Sequence, residues 1–129
     1  MWTENPIFRE DLDRLASYDY IPWDDLRDST VFITGATGLI GYTAVCALLR
    51  YDQLHDAGIK VVALVRDVGR AEAKFSRQIA DGCDITFIRG SVEYLPEIVG
   101  KIDYIIHGAC PTSSQYFVDH AVETIDTIV

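Results

Sequence analysis

The sequence predicts an α/β fold, a doubly wound parallel sheet of which this chain supplies the N-terminal four-strand part of a larger domain. Three observations predict it. Four short apolar runs rich in β-branched and aromatic residues recur along the chain, stretches with helical spacing separate them, and a glycine-rich turn joins the first run to the first of those stretches.

The elements follow in order. Phe8, Leu12 and Leu15 have the spacing of an amphipathic helix, and Ile21-Pro22-Trp23 with Asp24-Asp25-Leu26 reads as a turn or short helix. Residues 1–29 are therefore expected to be an extension that packs on the domain formed by residues 30–129. Val31-Phe32-Ile33-Thr34, Val61-Val62-Ala63-Leu64-Val65, Ile85-Thr86-Phe87-Ile88 and Tyr104-Ile105-Ile106-His107 are the strands. They mostly lack apolar–polar alternation, as strands buried on both faces do. Ile40, Ala44, Ala47, Leu48 and Tyr51 share one face of a helix over residues 39–52, and Ala71, Phe75 and Ile79 step by four along a second. Val92, Leu95 and Val99 predict a third, which Pro96 confines to a turn or two. Ala121, Val122, Ile125 and Val129 open a fourth without a C-terminal cap, so the expectation is the N-terminal part of a longer protein.

With 129 residues, 49% of them hydrophobic and 24% charged, the chain has enough apolar material for one ordinary core, which excludes a disordered tail. Its 11 Lys+Arg against 20 Asp+Glu give a net charge of −9, and no basic run interrupts that balance, so nucleic-acid and membrane partners are not expected. Cys46, Cys83 and Cys110 lie far apart with no C-x-x-C pair, which indicates neither a zinc site nor a disulfide framework. The N-terminus has no leader pattern and the longest apolar runs are far below membrane-spanning length. A cytoplasmic protein is expected.

The stretch Thr34-Gly35-Ala36-Thr37-Gly38-Leu39-Ile40-Gly41 lies between a buried strand and a helix, the context a dinucleotide-binding turn requires. Gly35 suits the tight turn, Gly38 lacks the Cβ that would hold off a pyrophosphate, and Gly41 permits close helix packing. Amides near Leu39 and Ile40 then leave the helix N-terminus unsatisfied, carrying roughly half a positive charge. Gly35, Thr37, Gly38, Leu39, Ile40 and Gly41 are the candidate cofactor-binding residues of this turn.

The string TGATGLIG resembles the short-chain dehydrogenase/reductase superfamily, in particular its extended branch of NAD(P)-dependent epimerases and dehydratases with a Rossmann-like fold. The resemblance spans residues 30–129 and continues in Val62-Ala63-Leu64-Val65-Arg66-Asp67, Arg89-Gly90-Ser91-Val92 and Asp103-Tyr104-Ile105-Ile106-His107-Gly108-Ala109-Cys110. It implies that Arg66 meets the cofactor ribose, Ser91 and Val92 the adenine, and Gly108, Ala109 and Cys110 the ribose and nicotinamide side. Two departures from the family pattern matter. Val65 followed by Arg66 replaces an acidic strand end, which favours NADP over NAD, and Ser91 stands where relatives often carry an Asp.

The resemblance further implies transient hydride transfer on a nucleotide sugar and a homodimer in the full-length protein, dimerising through the helix that starts near Ala121. The family's Tyr-x-x-x-Lys pair has no match here: Tyr94 precedes Ile98, Tyr104 precedes Gly108 and Tyr116 precedes His120. This stretch should therefore bind cofactor without turning over substrate alone. The alternative is a non-catalytic NAD(P)-binding sensor or interaction module. His107 reads as a hydrogen-bonded structural residue, and no spacing among His55, His107 and His120 suits a metal. Cys110 reads as a small apolar neighbour, Thr112-Ser113-Ser114 as a helix entry or turn or else the start of a substrate cleft, and Asp24, Asp25 and Asp28 as a solvated acidic turn.

Overall fold

The computed structural model describes residues 5–94, 96–98 and 100–108. They form helix α1 (Pro6–Ala16), a 3₁₀ turn (Trp23–Leu26), strand β1 (Thr30–Thr34), helix α2 (Leu39–His55), strand β2 (Lys60–Val65), helices α3 (Val68–Lys74) and α4 (Ser76–Ala80), and strands β3 (Ile85–Arg89) and β4 (Tyr104–His107). The strands make one sheet in the order β3-β2-β1-β4, all pairs parallel, with Val31 in register with both Val61 and Tyr104. The strand order therefore reverses at β1.

Alternate side chains of a strand take opposite faces. Val31, Ile33, Val61, Ala63 and Val65 share one core with Val45 and Leu49 of α2, Ala71 of α3, and Phe75. Phe32, Thr34 and Leu64 alternate with them and are buried too, which is why β1 and β2 show no apolar–polar alternation in sequence. The other two strands differ from expectation. Every residue of β4 is exposed, Ile105 at 68%, and β3 is only partly buried. Both are edges of the described sheet, with a neighbour on one side only.

Three helix expectations need correction. Helix α2 runs to His55, and it buries Gly41, Val45, Cys46, Leu48, Leu49 and Tyr51, whereas Ile40 is 82% exposed. The second predicted helix is two short ones with Phe75 between them at φ −101°, and this bend turns Gln78 into the core and leaves Ile79 exposed. Residues 90–103 carry a hydrogen-bonded turn from Ser91 to Tyr94 and no helix among the described residues, while Leu95 and Val99 lie outside them. The helix starting near Ala121 also lies outside the described residues, and α1, α2 and α3 contribute to one core cluster.

The N-terminal elements pack on α2. Asn5 caps α1 by accepting from the amides of Ile7 and Phe8 at 3.0 and 3.2 Å, Pro6 occupies the first turn, and Leu12 and Ala16 are buried. Asp13 pairs with Arg50 of α2. Trp23 of the 3₁₀ turn stacks on Tyr51 at 4.4 Å and donates its indole N–H to the Leu15 carbonyl at 3.0 Å.

At the opposite end of the sheet from the glycine turn, Asp103 accepts the Thr30 amide at 2.9 Å and joins the entries of β4 and β1. That backbone hydrogen bond, seconded by Lys101, holds its carboxyl below the usual carboxylate range. Because the folded pKa is depressed, the stabilisation is present above the unfolded pKa and lost as pH falls through the folded one. The gap in urea midpoint between the native chain and Asp103→Asn is expected to be widest near about pH 6 and to narrow below about pH 3. A gap independent of pH would contradict this.

Candidate functional site

Parallel strands put all their C-terminal ends on one edge of a sheet, and ligands of open α/β sheets collect there, where the strand order reverses. On this edge β1 leads into Gly35, β2 into Arg66, β3 into Gly90 and Ser91, and β4 into Gly108. The fold thus brings four distant sequence segments to one edge.

The glycine turn is built from three different requirements. Gly35 has φ 75°, a left-handed conformation that a side chain disfavours, and its carbonyl accepts the Gly38 amide at 3.1 Å. Gly41 is buried, and a Cβ there would lie 2.0 Å from the Gly35 oxygen. Gly38 is exposed, with φ −76° and ψ 171°, and a Cβ on it would meet only that same oxygen at 3.4 Å, an ordinary contact. Packing inside the protein therefore demands glycine at 41 and leaves 38 free.

Helix α2 begins behind Gly38 with no side-chain cap. Its first backbone bond is from the Tyr42 amide to the Gly38 carbonyl at 2.8 Å, so the amides of Leu39, Ile40 and Gly41 have no acceptor among the described residues. The side chains of Leu39 and Ile40 are 87% and 82% exposed and stand beside these donors. Free donors at a helix N-terminus suit an anion, and at Gly38 no Cβ stands in front of them. Thr37 is exposed in the same turn, and its carbonyl accepts from Lys74 Nζ at 2.6 Å.

Arg66 is exposed and makes no hydrogen bond or ion pair among the described residues. Its neighbour Asp67 is engaged elsewhere, since its carboxylate caps α3 by accepting the Arg70 amide at 3.0 Å. Ser91 and Val92 are half-buried beyond β3. The Ser91 hydroxyl oxygen accepts the Tyr94 amide at 3.2 Å and keeps its own proton to donate. Gly90, between them and β3, has no room for a side chain, because a Cβ would fall 2.7 Å from Pro96.

On the other side of β1, the Gly108 amide donates to the Thr34 carbonyl at 2.9 Å and to its hydroxyl at 3.1 Å, and a Cβ on Gly108 would approach that carbonyl to 3.0 Å. Thr34 Oγ1 also lies 2.7 Å from His107 Nδ1, the structural role expected of that histidine. Ala109, Cys110, Thr112, Ser113, Ser114 and His120 lie outside the described residues.

Sequence reasoning missed Lys74 and Tyr42, which reach the glycine turn from α3 and from one step past Gly41. No local pattern marks either of them. Burial pushes the thiols of Cys46 and Cys83 up to about 11, away from nucleophilic chemistry at neutral pH. No cluster of three metal-ligating side chains occurs among the described residues, and none of the described helices is long and apolar enough to cross a membrane. A groove of about 360 Å³ lies at the far end of α2, roughly 20 Å from the turn, lined by Tyr18, Trp23, Tyr51 and His55, among others. Trp23 stacks on Tyr51 there, with His55 tilted against the same ring, which ties the N-terminal segment to α2. Neither family models nor curated proteins give a match to this chain.

Proposed function

We propose that this chain is the dinucleotide-binding half of an NAD(P)-dependent epimerase or dehydratase acting on a nucleotide sugar, with NADP favoured over NAD. One observation carries the reading. An uncapped helix N-terminus stands at the point where strand order reverses, behind a glycine whose absent side chain the protein's own packing does not require. A residue kept small for no internal reason keeps space for something outside.

The residues fit the group. The amides of Leu39, Ile40 and Gly41 would hold the diphosphate, Gly38 would admit it, and Arg66 would face the adenosine ribose. Arg66 has no carboxylate partner among the described residues, so its guanidinium would be available to a 2′-phosphate, while an NAD ribose would offer it only hydroxyl groups. Ser91 would donate its hydroxyl proton to the base, and Val92 would supply backbone and apolar contact. Gly108, Ala109 and Cys110 would border the nicotinamide side. The cofactor supplies reversible acceptance of a hydride, and the chain's own residues bind and orient it. The resemblance of TGATGLIG and of the Asp103 to Cys110 string to extended short-chain dehydrogenases supports the substrate class and homodimerisation near Ala121, and the scattered Cys46, Cys83 and Cys110 suit a cytoplasmic setting.

Titration with NADPH and NADH, followed by nicotinamide fluorescence, tests the reading. The native chain is expected to bind both, NADPH more tightly. Arg66→Ala is expected to lose about 1–3 kcal/mol of NADPH affinity and keep NADH affinity. Equal loss for both, or no loss, removes the NADP preference. Absence of binding by the native chain removes the dinucleotide reading itself.

A further inference from the structure

We propose that Lys74 is a positioning residue for the glycine turn, and that its clamp on the Thr37 carbonyl sets affinity for the diphosphate common to NADH and NADPH. The affinity part rests on the dinucleotide reading above, and the clamp itself does not.

One peptide unit joins Thr37 to Gly38. A peptide unit is planar, so fixing both its polar ends fixes its orientation. Its N–H donates to the Gly35 carbonyl at 3.1 Å, and its C=O accepts from Lys74 Nζ at 2.6 Å. Gly38 is the residue that precedes the uncapped amides of α2. Its orientation decides whether those amides face open space. Without Lys74 the plane would be held at one end only, and the carbonyl would be an unmasked negative dipole beside the place an anion must occupy.

Lys74 is itself held. Its ammonium lies 5.0 Å above the Tyr42 ring centre, a cation–π distance, and the Tyr42 ring stacks on Phe8 at 6.4 Å and leans on Phe75 at 5.0 Å. Beneath it Gln78, fully buried, brings its amide nitrogen to 3.5 Å from the Tyr42 hydroxyl. The long lysine side chain therefore rests on a ring that packing has already fixed, which reduces the rotamer entropy lost in forming the clamp. No carboxylate pairs with Lys74 among the described residues, so its charge adds to the positive end of α2.

Two variants and two readouts test it. Lys74→Met keeps the length and removes donor and charge, whereas Lys74→Arg keeps both. In Lys74→Met, amide hydrogen exchange at Gly38 is expected to quicken about tenfold, and NADPH and NADH are expected to weaken by the same factor, about tenfold. Lys74→Arg should restore both to within about threefold of native. Native exchange at Gly38 in Lys74→Met overturns the clamp. Loss of NADPH affinity with NADH retained overturns the positioning role, because it would mean direct contact with the 2′-phosphate. If the native chain binds neither dinucleotide while exchange still quickens, the clamp stands and the affinity claim falls with the dinucleotide reading.

Discussion

Gly41→Ala is expected to lower the stability of the chain by about 3 kcal/mol, read as a fall in the urea midpoint. The added Cβ would sit 2.0 Å from the Gly35 oxygen, 2.7 Å from its carbonyl carbon and 3.1 Å from the Ala36 Cα. All three are backbone atoms, and none can rotate away as a side chain would. The Gly35 carbonyl is also the acceptor for the Gly38 amide, and Gly35 already occupies φ 75°. Relief therefore requires α2 to move away from the turn. That motion would open the packing of Val45 and Leu49, both fully buried against the sheet. A midpoint equal to the native one would show that the turn and helix can separate freely, contrary to this packing.

The sequence reveals the sheet well because β1 and β2 are continuous apolar runs, and burial on both faces leaves no other pattern for them. It reveals the three glycines as a group without telling which of them packing requires. That distinction depends on how closely α2 approaches the Gly35 carbonyl, a tertiary distance. The buried face of α2 is hidden for a related reason. Leu39, Ile40, Val45, Leu48 and Leu49 spread apolar residues around the helix, so periodicity cannot choose between Ile40, which is exposed, and Val45, which is buried. Gln78 defeats the pattern in the opposite sense. A polar residue reads as surface, but the bend at Phe75 turns it inward, where its amide nitrogen lies 3.4 Å from Cys46 Sγ. Lys74 is illegible because its partner Thr37 stands 37 residues away and an exposed lysine at a helix end resembles any other. Arg66 is legible as a basic residue at the end of the second apolar run, and the capping of α3 by Asp67 accounts for its nearest carboxylate.

Gly38→Val should separate binding from folding. The position has φ −76° and ψ 171°, extended backbone that a β-branched residue adopts readily, and the Cβ meets only the Gly35 oxygen at 3.4 Å. As an N-cap, valine is poorer than glycine, so stability is expected to fall by no more than about 1 kcal/mol. Affinity should behave otherwise. The isopropyl group would fill the space in front of the Leu39 and Ile40 amides and keep a diphosphate beyond hydrogen-bond reach, which forfeits several charge-assisted bonds together. NADPH and NADH are both expected to weaken at least about 100-fold, since the diphosphate is common to them. Fluorescence titration and urea unfolding of the same preparation supply the two numbers. Native affinity with native stability would mean that no diphosphate lies in front of Gly38, and the uncapped end of α2 would then be an ordinary solvated helix terminus. Gly41→Ala is expected to give the opposite pattern, a loss of stability that begins inside the protein, so the pair would assign one glycine to the fold and the other to a ligand.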